Sequence, residues 1–143
     1  MIRHLAGLAE IVDDVDAAAA FYEGLGLTIK RDDNPDYAVA EIAGVMHFGI
    51  WNRAAAAEST FGSREAAGRI PLGFTIGLEV DNVDAAAAAL GDRAVGAAHD
   101  EPWGQRVARF TSPSGALCEV SETSWARELE TNVKAKTIEP AAR

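Results

Sequence analysis

The stretch VDDVDAAAA at residues 12–20 decides the fold, because it returns with one change as VDNVDAAAA at residues 80–88. Each copy follows a short apolar run and opens an alanine-rich stretch, a pattern typical of a strand that turns directly into a helix. Asp14 and Asn82 are good N-cap residues, and alanine has the highest helix propensity. The chain is therefore predicted to be a tandem of one supersecondary unit.

Composition limits the classes of protein that this chain can belong to. At 143 residues it is expected to form a single domain, residues 1–143. The formal net charge of −9 argues against a nucleic-acid partner and would suit a cationic ligand. Cys118 is the only cysteine, so no intrachain disulfide can form. Without a long apolar run or a signal-peptide pattern, we expect a cytoplasmic protein with no membrane partner.

Alternating apolar runs and turn signals follow each predicted helix. We expect each half to contain strand, helix, strand, strand, strand, with a first module at residues 5–51 and a second at residues 73–122. Ala43-Gly44 is predicted as a tight hairpin turn. Residues 52–72 form either a linker with a helical piece or a flap over a pocket. Residues 123–143 are predicted as a C-terminal helix and a tail.

Three further stretches accompany the repeat: FYEGLGL at residues 21–27, PWGQR at residues 102–106 and SPSG at residues 112–115. Together with the two βαβββ units, they resemble the vicinal oxygen chelate superfamily of glyoxalase I, extradiol dioxygenases, fosfomycin resistance enzymes and bleomycin resistance proteins. The resemblance implies an α+β fold in which tandem βαβββ modules form a curved mixed sheet around a cavity. The helix of each module would pack on the convex face.

Catalytic members of that superfamily hold one divalent metal with four side chains, which come from the first and fourth strands of each module. Anchored on the repeat, the matching positions here are Gly7, Thr75, Gly49 and Glu119, of which only Glu119 is a competent ligand. His47, two residues before Gly49 and on the same strand face, would add a second ligand, short of the three usual for catalytic zinc. No cofactor is expected, and a divalent metal on Glu119 and His47 is the alternative.

The same positions describe a binding cavity. Small residues would leave room for a ligand, aromatic residues would supply flat surfaces, and a carboxylate would be the polar anchor. These predicted ligand-binding residues are Gly7, Gly49, Thr75, Trp51, Trp103, Phe110 and Glu119. This set resembles the bleomycin resistance type, which implies a metal-free homodimer that binds a small organic molecule, aromatic or cationic and antibiotic-like. The protein is thus expected to bind a ligand rather than to catalyse a reaction.

Two other functions stay open from the sequence. One is an enzyme, either a metal-dependent lyase or dioxygenase using Glu119 and His47, or a metal-free enzyme with Glu119 as a base on an acidic carbon. The other is an accessory or dimerisation module whose cavity is filled by side chains. The ligand-binding, enzymatic and accessory hypotheses all use the same strand register. This register turns Glu10 toward the first helix, an unusual place for a carboxylate.

Overall fold

The structure, a computed structural model, describes residues 2–41 and 47–123. The first module consists of β1 (Ile2–Val12), α1 (Val15–Gly24), β2 (Thr28–Lys30), β3 (Tyr37–Glu41) and β4 (His47–Asn52), and α2 (Arg53–Phe61) follows it. The second consists of β5 (Gly73–Val80), α3 (Val83–Leu90), β6 (Ala94–Asp100), β7 (Gln105–Thr111) and β8 (Leu117–Thr123). The predicted order of strands and helices is therefore found in both modules. The predicted turn at Ala43-Gly44 and the predicted helix after residue 123 lie outside the described residues.

The repeated sequence forms the same helix start in both modules. Asp14 Oδ1 accepts a hydrogen bond from the Ala17 backbone N–H at 2.9 Å, and Asn82 Oδ1 accepts one from Ala85 at 2.7 Å. Each cap satisfies one of the backbone donors that the first helical turn leaves without a partner. The cap positions predicted from the repeat are confirmed. None of the described helices is long and apolar enough to cross a membrane.

The described strands form one open, mixed sheet in the order β2-β3-β4-β1-β5-β8-β7-β6. The two modules meet where β1 pairs antiparallel with β5. Within each module the first strand pairs in parallel with the last, β1 with β4 and β5 with β8. A mixed sheet whose helices come from two βαβββ modules confirms the predicted α+β class.

The register makes the two modules equivalent across that central pair of strands. Gly7 lies opposite Gly77, and Ala9 lies opposite Thr75. An approximate two-fold relation therefore exchanges Gly7 with Thr75 and Ala9 with Gly77. In the outer parallel pairs Ala9 lies opposite Gly49, and Gly77 lies opposite Glu119. Positions 49 and 119 are thus structural equivalents, as the repeat predicts.

Helices α1 and α3 cover one face of the sheet. Val15 and Ala19 of α1 pack against β3 and β4, while Val83 of α3 packs against Val80 and Val120. These clusters bury the apolar stripe of each helix and stabilise each module separately.

The same face also holds the polar pair of Glu10 and Tyr22. Glu10 accepts a hydrogen bond of 2.6 Å from the Tyr22 hydroxyl on α1, which supports the predicted strand register. This hydrogen bond is the main cause that raises the pKa of Tyr22 to about 12. This partly buried carboxylate therefore has a dedicated hydrogen-bond donor.

The segment of residues 52–72 contains the helix α2 and a 3₁₀ helix at Arg64–Arg69. Ala56 and Ala57 of α2 are buried in a cluster with Ile11 and Leu117. Ile11 and Leu117 project from the sheet face opposite α1 and α3, because strand side chains alternate. The segment therefore connects the modules and also closes one end of that opposite face.

Candidate ligand-binding site

A cavity of about 360 Å³ lies on the sheet face opposite α1 and α3. Its floor comes from the two central strands, where the side chains are small: Gly7, Ala9, Thr75 and Gly77. This volume is within the range of small-molecule sites. The central pairing of the modules thus creates the space, because glycine and alanine project almost nothing from it.

Aromatic side chains stand on two sides of this floor. Trp51 and Tyr37 lie opposite each other in the β3–β4 pair, and both line the cavity. Trp103 comes from the loop before β7, is 53% exposed, and donates its indole N–H to Gln105 Oε1 at 2.5 Å. Trp51 and Tyr37 are therefore wall residues, while Trp103 lies at the mouth. Of the predicted aromatic contacts, Trp51 and Trp103 lie at the cavity.

The predicted role of Gly49 needs a correction. A Cβ atom placed on Gly49 would lie 2.1 Å from the Tyr37 hydroxyl oxygen and 2.6 Å from the ring carbon that bears it. Gly49 therefore leaves room for the Tyr37 ring and not for a ligand. Burial, and then the charge of Glu119, raise the pKa of Tyr37, so its hydroxyl keeps its proton at neutral pH.

The predicted contact of Phe110 with a ligand is also corrected. Phe110 packs with Leu90 and Ala98 against the cluster under α3, on the other face of the sheet. Side chains alternate along β7, so Arg109 faces the cavity and Phe110 faces the helix. The sequence analysis assigned Phe110 to the cavity, whereas its neighbour Arg109 is the residue that reaches it.

Thr75 lines the cavity, but its hydroxyl is used within the sheet. The Thr75 Oγ1 donates to the Leu117 carbonyl oxygen on β8. The hydroxyl hydrogen is therefore committed to the backbone, and Thr75 contributes mainly its shape to the cavity.

The polar wall of the cavity is formed by Arg109 on β7 and Glu119 on β8, which lie directly opposite in the β-ladder. Arg109 Nη2 donates to Glu119 Oε2 and to Glu101 Oε1, both at 2.9 Å. Burial raises the pKa of Glu119, although the charge of Arg109 opposes that effect. The site thus holds one guanidinium between two carboxylates. Arg109 and Glu101 were missed from the sequence, although the alternation of β7 gives Arg109 the same face as the buried Val107.

Glu101 connects this buried pair to the protein surface. Besides Arg109, its Oε1 is contacted by His99 Nε2 at 3.1 Å and accepts from the Ser59 hydroxyl. The Glu101 side chain is 5% exposed and that of His99 is 35% exposed. Three partners on one buried carboxylate fix its position and therefore the position of Arg109.

The residues described here do not form a metal centre. Among the side chains that the structure describes, which exclude those of residues 41–47, no group of three His, Cys, Asp or Glu residues could hold an ion. Glu119 is already paired with Arg109, and Gly7, Thr75 and Gly49 offer no strong ligand at the equivalent positions. The backbone of His47 lies opposite Gly7, but its side chain is outside the described part. A metal-free site stays a prediction.

The fold and the cavity define a class of protein: tandem βαβββ modules joined through their first strands, with a small-molecule cavity on the face that α1 and α3 leave open. A family model of the Glyoxalase/Bleomycin resistance protein/Dioxygenase superfamily matches residues 2–120. The chain belongs to this superfamily. No curated protein matches its sequence.

Solved structures show the same fold. A glyoxalase/bleomycin resistance protein/dioxygenase superfamily member from Vibrio splendidus 12B01 is 16% identical with a TM-score of 0.57, covering 85% of this chain and 98% of its own. Methylmalonyl-CoA epimerase from Mycobacterium tuberculosis is 21% identical with a TM-score of 0.58, covering 90% and 93%. A variant of the Streptomyces coelicolor methylmalonyl-CoA epimerase, in complex with 2-nitronate-propionyl-CoA, is 16% identical with a TM-score of 0.51, covering 87% and 99%. These likenesses concern the fold alone.

Proposed function

We propose that this protein binds a planar organic molecule in the cavity without a metal ion. The observation that carries the proposal is the pairing of aromatic walls, Trp51 and Tyr37, with a floor of glycine and alanine. A flat ring could lie over such a floor and contact the aromatic walls by stacking or edge contacts. Each aromatic contact contributes about 0.5–1.5 kcal/mol beyond the area that it buries.

The charges at the cavity favour a neutral or cationic ligand over an anionic one. Asp32 and Glu119 line the cavity together with Arg109, whose positive charge is already shared by Glu119 and Glu101. An anionic ligand would meet an excess of carboxylates in a poorly solvated space. This charge balance supports the expectation of a cationic ligand and also allows a neutral one.

The test uses Trp51 as the only fluorescent tryptophan. The double variant Trp103→Phe and Trp125→Phe is titrated with a panel of planar aromatic amines, amides and dyes while Trp51 emission is recorded. We expect saturable changes for a subset of the panel, and loss of both signal and affinity in Trp51→Phe, measured by calorimetry. If no compound changes the emission or the melting temperature at millimolar concentration, the proposal is wrong.

A metal-free enzyme is the second candidate, and the raised pKa of Glu119 favours it, because a buried carboxylate is a stronger base than an exposed one. Incorporation of solvent deuterium at an acidic carbon of carbonyl probes, followed by proton NMR, tests it. Incorporation that disappears in Glu119→Gln would support catalysis. No incorporation across ketone, aldehyde and thioester probes would contradict it.

The metal-dependent lyase or dioxygenase is the remaining enzymatic alternative. Elemental mass spectrometry of protein purified without chelator decides it, since a stoichiometric divalent metal would overturn the metal-free proposal. A cytoplasmic location and the lack of nucleic-acid and membrane partners also stay predictions from composition.

A further inference from the structure

One nitrogen of the buried Arg109 guanidinium has no hydrogen-bond partner among the residues that the structure describes. Nη2 donates to both Glu101 and Glu119, while Nη1 is buried and pairs with no group that the structure describes. The whole Arg109 residue is only 2% exposed. A buried donor without an acceptor costs about 1–3 kcal/mol, and native proteins leave few of them. The cavity wall therefore contains a donor that lacks an acceptor.

An acceptor lies beside this donor. Glu119 uses Oε2 for Arg109, and its other oxygen, Oε1, lies 3.9 Å from the position of a Cβ on Gly77, over the floor of the cavity. Since Arg109 and Glu119 are direct neighbours across β7 and β8, the two groups share one edge of the cavity. A donor and an acceptor side by side match a ligand edge that offers one acceptor and one donor.

The ring of Trp51 lies beside the Arg109 guanidinium. The Arg109 guanidinium carbon lies over the Trp51 ring, 5.2 Å from the ring centroid, a cation–π arrangement. Nη1 itself has no exposed surface, so a ligand can reach it only if its cover shifts. Trp51 also lines the cavity, so a ligand beside this guanidinium would contact its ring.

We propose that the ligand presents a neutral donor–acceptor edge, of the carboxamide or lactam class, to Glu119 Oε1 and Arg109 Nη1. The inference rests on the proposed binding function and specifies its head group. The ligand's carbonyl oxygen accepts from Nη1 and its N–H donates to Glu119. A carboxylate would lack the donor and add charge beside Glu119, whereas an ammonium group would leave Nη1 without an acceptor.

Four probes of one size test the head group: benzamide, acetophenone, benzylamine and benzoate, each titrated into the wild-type protein by ligand-observed NMR. Benzamide should bind about tenfold more tightly than acetophenone, which lacks the donor, because a hydrogen bond to a charged group contributes about that factor. Benzoate should bind weakest. Equal affinities for benzamide, acetophenone and benzylamine would contradict the proposed head group but not the binding function. If none of the four probes binds, the head group and the binding function are both contradicted.

The variant Arg109→Lys keeps the charge between the two carboxylates but removes Nη1. Benzamide affinity should fall about tenfold, while benzylamine, whose ammonium group contacts only Glu119, serves as the matched control and should change less than about twofold. Equal losses for both probes would overturn the inference. If circular dichroism shows that Arg109→Lys does not fold, the wild-type probe series decides alone.

Discussion

The Tyr37 ring lies over Gly49, in space that is free only because residue 49 has no side chain. Gly49→Ala places a methyl group 2.1 Å from the Tyr37 hydroxyl oxygen, so the ring must leave its place over β4. We expect a loss of about 1–3 kcal/mol in the free energy of unfolding, typical of overpacking, and weaker binding of any ligand. Urea unfolding and titration of the same preparation measure both effects.

The control for this change is Gly24→Ala at the end of α1, where an added Cβ meets nothing within 4 Å. This variant should be unchanged or up to about 1 kcal/mol more stable, because alanine favours helix. Adding Tyr37→Ala to Gly49→Ala should relieve the clash, giving a strong coupling energy between the two sites. If Gly49→Ala unfolds like the wild type, the close fit of the Tyr37 ring is wrong.

Glu119 predicts a dependence of stability on pH. Because burial raises its pKa above the ordinary value of 4.5, the folded protein holds this proton more tightly than the unfolded chain. The contribution of Glu119 to stability is therefore greatest below pH 4.5 and declines as the pH rises through the folded pKa. Relative to Glu119→Gln, the wild type should lose stability from acidic to neutral pH, measured by urea unfolding. If the wild type instead gains stability from acidic to neutral pH, the charge of Arg109 affects the pKa of Glu119 more strongly than burial does.

The sequence identifies some residues of the cavity and misses others for a physical reason. The repeat fixes positions 7, 49, 75 and 119, and β-strand alternation then assigns their faces. The sequence alone cannot show that the Tyr37 ring occupies the space over Gly49. Nor can it show that Arg109 lies between Glu101 and Glu119. Those contacts join residues from different strands and a loop, so no local pattern contains them.

At the level of secondary structure, the repeated N-caps should contribute equally in both modules. Asp14→Ala and Asn82→Ala each remove one side-chain acceptor from a helix start, at a cost of about 1 kcal/mol each. Since α1 and α3 belong to separate core clusters, the double variant should lose the sum of the two effects. Thermal unfolding of the single and double variants measures this.

Asp14→Asn is the matched control, because asparagine keeps an acceptor oxygen at the cap and should leave stability nearly unchanged. A double variant that loses much more than the sum would show that the two helices depend on each other. That result would contradict the separate packing of the modules.

The sequence predicts elements well where turn chemistry and periodicity agree. Both repeat helices and the SPSG turn follow this rule, and Gly115 donates its N–H to the Ser112 carbonyl at 2.9 Å. The role of residues 52–72 is harder to predict, because their alanines favour a helix but do not show what that helix contacts. Only the packing of Ala56 and Ala57 against Ile11 shows that it closes one end of the cavity face.

At the scale of the whole molecule, we propose a homodimer through the face that carries α1 and α3. Four large apolar side chains, Ile2, Leu5, Phe74 and Ile76, are exposed there among the residues described, on the two central strands. Contiguous exposed apolar residues often mark an interface. Light scattering coupled to size-exclusion chromatography should give twice the chain mass of 15.1 kDa.

Phe74→Ser should shift this protein toward the monomer, because it removes the largest of these exposed apolar side chains. Leu25→Ser, at an equally apolar but separate exposed position after α1, is the control and should leave the mass unchanged. A wild-type monomer at all concentrations would contradict the dimer.

The approximate two-fold relation between the modules leaves the cavity with unequal ends. The backbone repeats itself, yet one side carries Tyr37 over a glycine and the other carries Glu119 beside Arg109. A ligand therefore meets different chemistry at each end and can adopt only one orientation. We expect a ligand whose own two ends differ to bind in one direction, whereas a cavity with equal ends would accept it in both.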